Sequence, residues 1–218
     1  MLPCVLAAKD ETDGVLQERL NELMRLVPAT VPLGIYECPV PYHRLLTPEM
    51  LHSLASSGRI RFLKDTSRRN DLISDKLALV KTLPEDSLFR WFNGNCTTLL
   101  HSLKEGGRGC GLVSANFYPF FFSWLVANHE AEPEKAAKLQ AFLTVAEGIV
   151  KAHYPASAKM FLRTQMGADF LQPTCREPNC AFPTDHPENM MKLVALHDSM
   201  TAMCSELGIK PVRFKGCG

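Results

Sequence analysis

Apolar and polar positions follow two rhythms along the first half of the chain. Short apolar runs occur at Val5–Ala8, Pro32–Tyr36, Ile60–Leu63, Phe89–Phe92 and Gly111–Ser114. Each reads as a short strand. Between them lie segments whose apolar residues recur three and four apart. In Asp13–Val27 these are Val15, Leu16, Leu20, Leu23, Met24 and Val27, which predicts an amphipathic helix. Thr47 before Pro48 is an N-cap followed by proline at the first helical position. That pair predicts a helix running to Ser57 and stopped by Gly58. Asp71–Leu83 and Thr97–Glu105 repeat the helical spacing. The predicted order is β-α-β-α-β-α-β-α-β, which implies parallel pairing through right-handed crossovers.

From Pro119 onward the short apolar runs stop. Pro119–Glu130, Pro133–Tyr154, Ala156–Met166 and Pro187–Leu207 read as helices, with a Pro-, Cys- and Asn-rich loop at Gln172–His186. In the second of these, Ala136, Leu139, Phe142, Leu143, Ala146 and Ile149 share one face. The expected organisation is an α/β region over residues 1–118 and a helical region over 119–218.

Composition narrows the class. The 218 residues are 46% hydrophobic and 22% charged, which excludes a mainly disordered chain. Lys and Arg number 24 against 23 Asp and Glu, so no overall basic field draws nucleic acid or anionic lipid. The longest apolar stretch, Phe117–Ala127, falls far short of the roughly 20 residues of a membrane span. The first charge arrives at Lys9, too early for a signal-peptide core. Eight cysteines in a chain of this length, most of them in apolar surroundings, read as small hydrophobes in a reducing compartment, the cytosol.

In parallel α/β folds, functional groups gather at the carboxyl ends of the strands. Those ends are Tyr36-Glu37-Cys38-Pro39, Lys64-Asp65-Thr66-Ser67, Asn93-Gly94-Asn95 and Ser114-Ala115-Asn116. Lys64 closes an apolar strand. A lysine desolvated there has a lowered pKa, and its neutral amine is a nucleophile. The plainer alternative is a lysine reaching solvent or pairing with Asp65. For Tyr36 the alternative is a packed ring with a satisfied hydroxyl.

GIYECPVPYHR, then FLKDTS, then FNGN, then GGRGCGLVSANFYP resemble, in order and spacing, the dihydrodipicolinate synthase and N-acetylneuraminate lyase family. The resemblance covers nearly the whole chain, from the family's fourth strand onward. It implies an α/β fold of the (β/α)8 barrel type, here incomplete, with a C-terminal helical extension. It implies a class I lyase or aldolase acting on pyruvate or another 2-oxo acid, without metal or organic cofactor. Lys64 matches the lysine that forms the Schiff base, and Tyr36 the tyrosine that relays protons. Gly94 matches a strand-end glycine at the mouth of the site. Gly111 matches the position whose backbone approaches the pyruvate carboxylate; its plainer reading is a tight helix-to-strand turn. A dehydratase of 2-oxo-3-deoxy sugar acids, or an inactive truncated member, are the alternatives. The full-length form is expected to be a homo-oligomer.

Two departures stand out. Pro41 occupies the place of the arginine that grips a second carboxylate in the synthases, and Arg44 three residues later is the expected substitute. The family's first three strands, with their carboxylate-holding loop, would precede Met1, so the chain reads as N-terminally truncated and as weakly active or inactive by itself. His43-Arg44 could grip an acidic substrate; Arg68-Arg69 reads as solvated charge. Cys175 and Cys180 could form half a zinc site, but no second ligand pair accompanies them. The aromatic run Phe117–Trp124 reads as a helix buried against the barrel or a neighbouring subunit.

Overall fold

The computed structural model describes residues 2–174 and 181–210. Cys175, Cys180 and Cys217 lie outside the described residues, and so does the half zinc site weighed above. The chain forms two compact units, Met1–Gly111 and Leu112–Gly218.

The first unit carries a parallel sheet of four strands in sequence order. They are β1 (Leu2–Pro3), β2 (Leu33–Tyr36), β3 (Ile60–Asp65) and β4 (Arg90–Asn93). Helices α1 (Asp13–Leu26), α2 (Pro48–Ser56) and α3 (Asn70–Val80) join successive strands, and α4 (Leu99–Lys104) follows β4. Local signals start two of these helices. The Thr12 and Thr47 hydroxyls accept from Val15 N and Met50 N, satisfying donors that a helix leaves open. Ile35, Leu63 and Trp91 on adjacent strands are buried together with Leu16, Leu20, Leu51, Leu54, Ile73 and Leu77 of the helices. The strand ends therefore project from a solid core.

Two strands differ from the sequence reading. The first lies at Leu2–Pro3, paired with Ile35 and Tyr36, while Cys4–Leu6 coils into a 3-10 turn. Val5–Ala8 is not a strand, because side chains take its carbonyls: Arg19 donates to Leu6 O, Tyr42 to Ala7 O and Arg44 to Ala8 O. Gly111–Ser114 is not a strand either, since Val113–Asn116 is a 3-10 turn. Pairing along β4 occurs earlier, through Arg108 N to Trp91 O (2.8 Å), Asn93 N to Gly109 O (2.9 Å) and Gly111 N to Asn93 O (2.9 Å). Glycines contribute no side chain to an apolar pattern, so periodicity points past them to Leu112 and Val113.

The second unit contains α5 (Pro119–Asn128), α6 (Pro133–Lys151), α7 (Ala156–Met166) and α8 (Pro187–Leu207). The buried apolar residues of α6 are Ala136, Leu139, Leu143, Ala146 and Val150; Phe142 and Ile149 stand at their border. The aromatic run packs inside this unit. Phe117 meets Phe161 at 5.2 Å between ring centroids, and Phe121 meets Phe142 at 5.5 Å. Among the described residues no helix is long and apolar enough to cross a membrane.

Candidate active site

Parallel pairing of β2 with β3 places Tyr36 directly beside Lys64. Side chains of partnered residues lie on the same face of a sheet, and the Lys64 Nζ sits 4.2 Å from the centroid of the Tyr36 ring. Burial lowers the pKa of Lys64, against the opposing influence of Cys38. Burial also raises the Tyr36 phenol, helped by the charge of Cys38 and a hydrogen bond to its thiol. The result is an amine more readily neutral than an exposed lysine, beside a phenol that keeps its proton. Cys38 is a member that sequence reasoning missed. Its signal was its place two residues after Tyr36, the spacing that returns a side chain to the same face.

Gly111 borders this pair. A Cβ built there would lie 3.5 Å from Lys64 Cε and 3.9 Å from its Nζ, so backbone passes alongside the amine. Gly94 serves differently. Its N–H donates to Asp65 O at 2.6 Å, and a Cβ there would stand 2.5 Å from that same oxygen. Only glycine fits, and the end of β4 is thereby locked to the end of β3. Arg44 is not brought to Lys64. Its guanidinium donates to Ala8 O (2.9 Å), Glu11 O (2.8 Å) and Asp13 Oδ1 (2.8 Å), which fastens the loop after β1.

On the other side of the same strand ends lies a buried ion cluster. Lys76 Nζ donates to Glu37 Oε1 at 2.5 Å and to Asp65 Oδ2 at 2.7 Å. The three side chains are 2%, 0% and 0% exposed. Further lone pairs of both carboxylates are used as well. Glu37 accepts from Leu46 N and Thr66 N, and Asp65 from Ser67 N and Ser67 Oγ. Burial would lower Lys76, but the two carboxylates outweigh it and lift its pKa. Glu37 is pushed up to about 7 by burial, with Asp65 adding to the rise and Lys76 opposing it. Asp65 thus pairs with Lys76 and not with Lys64. Sequence reasoning missed Lys76, although it falls on the buried face of α3 beside Ile73 and Leu77; a charge on an apolar face calls for a buried counter-ion.

His43 approaches the same strand ends through Thr66. The Thr66 hydroxyl donates to Glu37 O at 2.5 Å, so the 2.8 Å contact of His43 Nε2 with Thr66 Oγ1 is made by the ring N–H. Burial lowers the His43 pKa, and Arg68 lowers it further. Among the described residues no group of three or more His, Cys, Asp or Glu is arranged to hold a metal ion.

Residues 17–196 match the family model described as the dihydrodipicolinate synthetase family. No curated protein sequence matches the chain. Among solved structures it is similar to a dihydrodipicolinate synthase variant characterised as the first monomeric one, at 20% identity and a TM-score of 0.72, over 93% of this chain and 63% of that one. It is similar to dihydrodipicolinate synthase from Aquifex aeolicus at 21% identity and a TM-score of 0.68, over 88% and 62% of the two chains. A third is YagE, a prophage protein of the dihydrodipicolinic acid synthase family from E. coli K12 in complex with pyruvate. There the identity is 20% and the TM-score 0.68, over 93% and 64%. The chain thus spans less than two thirds of the length of these structures. Its architecture is that of an incomplete (β/α)8 barrel with a helical extension.

Proposed function

Because the chain belongs to the dihydrodipicolinate synthetase family, we propose that it is a class I lyase or aldolase acting on pyruvate or a related 2-oxo acid through an imine on Lys64. The observation that carries this reading is the Lys64 amine held 4.2 Å over the Tyr36 ring at paired strand ends. The neutral Nζ adds to the 2-oxo carbon, and the carbonyl oxygen takes up protons and leaves as water. The protonated imine then accepts the electron pair released when a neighbouring C–H or C–C bond breaks, giving an enamine. Tyr36, which keeps its proton, supplies one to the departing oxygen and recovers it from the carbon being deprotonated. The imine is itself the electron sink, so this chemistry calls for no metal and no organic cofactor.

Dihydrodipicolinate synthesis itself is not proposed. Pro41 stands where the resemblance places a carboxylate-gripping arginine, and Arg44 is committed to Ala8, Glu11 and Asp13.

The test is chemical trapping. Pyruvate with borohydride is expected to add a reduced adduct to Lys64, located by peptide mass, and Lys64→Ala to abolish it. An adduct on other lysines with Lys64 unmodified would exclude the reading.

A further inference from the structure

Cations at or near the carboxyl ends of β2 and β3 include Arg44, Lys64, Arg68 and Lys76. Two are committed to partners. Lys76 is buried between Glu37 and Asp65, and Arg44 is tied to the loop after β1. Lys64 is the amine of the imine reading. Arg68 has neither a partner nor a place in that reading. Among the described residues it makes no hydrogen bond and no ion pair. Its side chain is exposed, but its backbone is held in a particular conformation. Its φ is 60°, in the left-handed region where a Cβ crowds the backbone. The residues on either side fix that turn. Ser67 is pinned through its N–H and hydroxyl to Asp65 Oδ1 at 2.9 and 2.6 Å, and Arg69 pairs with Asp71.

We propose that Arg68 is a substrate-binding residue whose guanidinium receives a carboxylate of the 2-oxo acid. The proposal deepens the imine reading and rests on it. Arg68 lies four residues beyond Lys64, in the turn that leads from β3 into α3. Its positive charge lowers the Tyr36 phenol against the effect of burial and lowers the His43 ring in the same direction as burial, so it acts on the side of the sheet where the amine stands. A 2-oxo acid brings a carboxylate with its ketone, and an unpaired guanidinium is the group best matched to it. A left-handed arginine, where glycine would sit without strain, is the kind of local cost that persists at working sites. The carboxylate could be the one next to the ketone, or the distal one of a dicarboxylic oxo acid.

The experiment uses the full chain and the variants Arg68→Gln, Arg68→Lys and Arg68→Gly. Each is titrated with pyruvate and separately with 2-oxoglutarate under borohydride, reading the Lys64 adduct by mass. Arg68→Gln is expected to raise the half-saturating concentration roughly 10- to 100-fold while leaving the adduct at saturation unchanged. Arg68→Lys should fall between, because it keeps charge but loses the two-pronged fit. Arg68→Gly should lose affinity as Arg68→Gln does yet melt at a higher temperature, because it relieves the backbone; a structural role alone would not separate the two. Weakening with both acids identifies the carboxylate beside the ketone, and weakening with 2-oxoglutarate alone identifies a distal one. Unchanged half-saturation for both acids overturns the proposal. A wild type that traps neither acid counts against the imine reading instead, and calorimetric titration of pyruvate into wild type and Arg68→Gln then judges the arginine separately.

Discussion

At the scale of single residues, the site depends on two pKa shifts in opposite directions. Lys64 is lowered by burial and Tyr36 is raised by it. Only the neutral amine attacks, so imine formation at low pyruvate is expected to rise with pH. It should level off below 10.5, the ordinary lysine value from which Lys64 is displaced. Rapid-mixing measurements of adduct formation across pH read this directly; a plateau at or above the ordinary value would remove the desolvation argument. Tyr36→Phe keeps the ring under the amine and deletes the hydroxyl. It should slow turnover roughly 10²- to 10⁴-fold while pyruvate half-saturation changes little. Full activity in that variant would remove the proton-relay role. Lys64 and Tyr36 were legible because each ends a short apolar run. Arg68 was not, since a backbone angle leaves no trace in composition.

At the scale of elements, Lys76 links the ends of β2 and β3 to α3. Removing one partner of a buried ion cluster leaves uncompensated charge behind. Lys76→Met should therefore destabilise by about 3–5 kcal/mol in a denaturant titration. Glu37 gives the cluster a pH signature. Its folded pKa stands near 7 against an ordinary 4.5, so the folded state holds the proton more tightly. Its contribution to stability is full below 4.5 and is lost as pH rises toward 7. Glu37→Gln should flatten the melting-temperature profile in that window, and an unchanged slope would mean another group sets it. The strand–helix alternation through β2, α2, β3, α3 and β4 is legible because period two gives way to period 3.6 between clear breakers. The first strand is illegible for a different reason: Arg19, Tyr42 and Arg44 compete for the carbonyls of residues 6–8 from positions distant in sequence. Residues 108–111 are illegible because three of the features that pair them are backbone groups of glycine-rich chain.

At the scale of the whole molecule, two compact units meet at Gly111–Leu112 along the chain. Their cores differ in kind: one is a parallel sheet cross-tied by ions, the other a helical group centred on aromatic rings. Scanning calorimetry of the full chain is expected to resolve two transitions, of which Lys76→Met lowers one. A single transition that moves as a whole would show the units to be one cooperative body. The broad architecture is legible from element order alone, and the family from four short motifs; the ion cluster is not, because its members stand 39 and 11 residues apart. The register of β2 on β3 also works as an odd-and-even code. Tyr36 and Lys64 face one side together, while the next residue along, Glu37 and Asp65, faces the opposite way toward Lys76. Losing one residue from β3 ahead of Lys64 would preserve the backbone ladder and invert that parity. On the imine reading, the protein would then offer a carboxylate to the incoming oxo acid and turn the Lys64 amine toward Lys76, so a frame error of one position would erase the reaction without erasing the sheet.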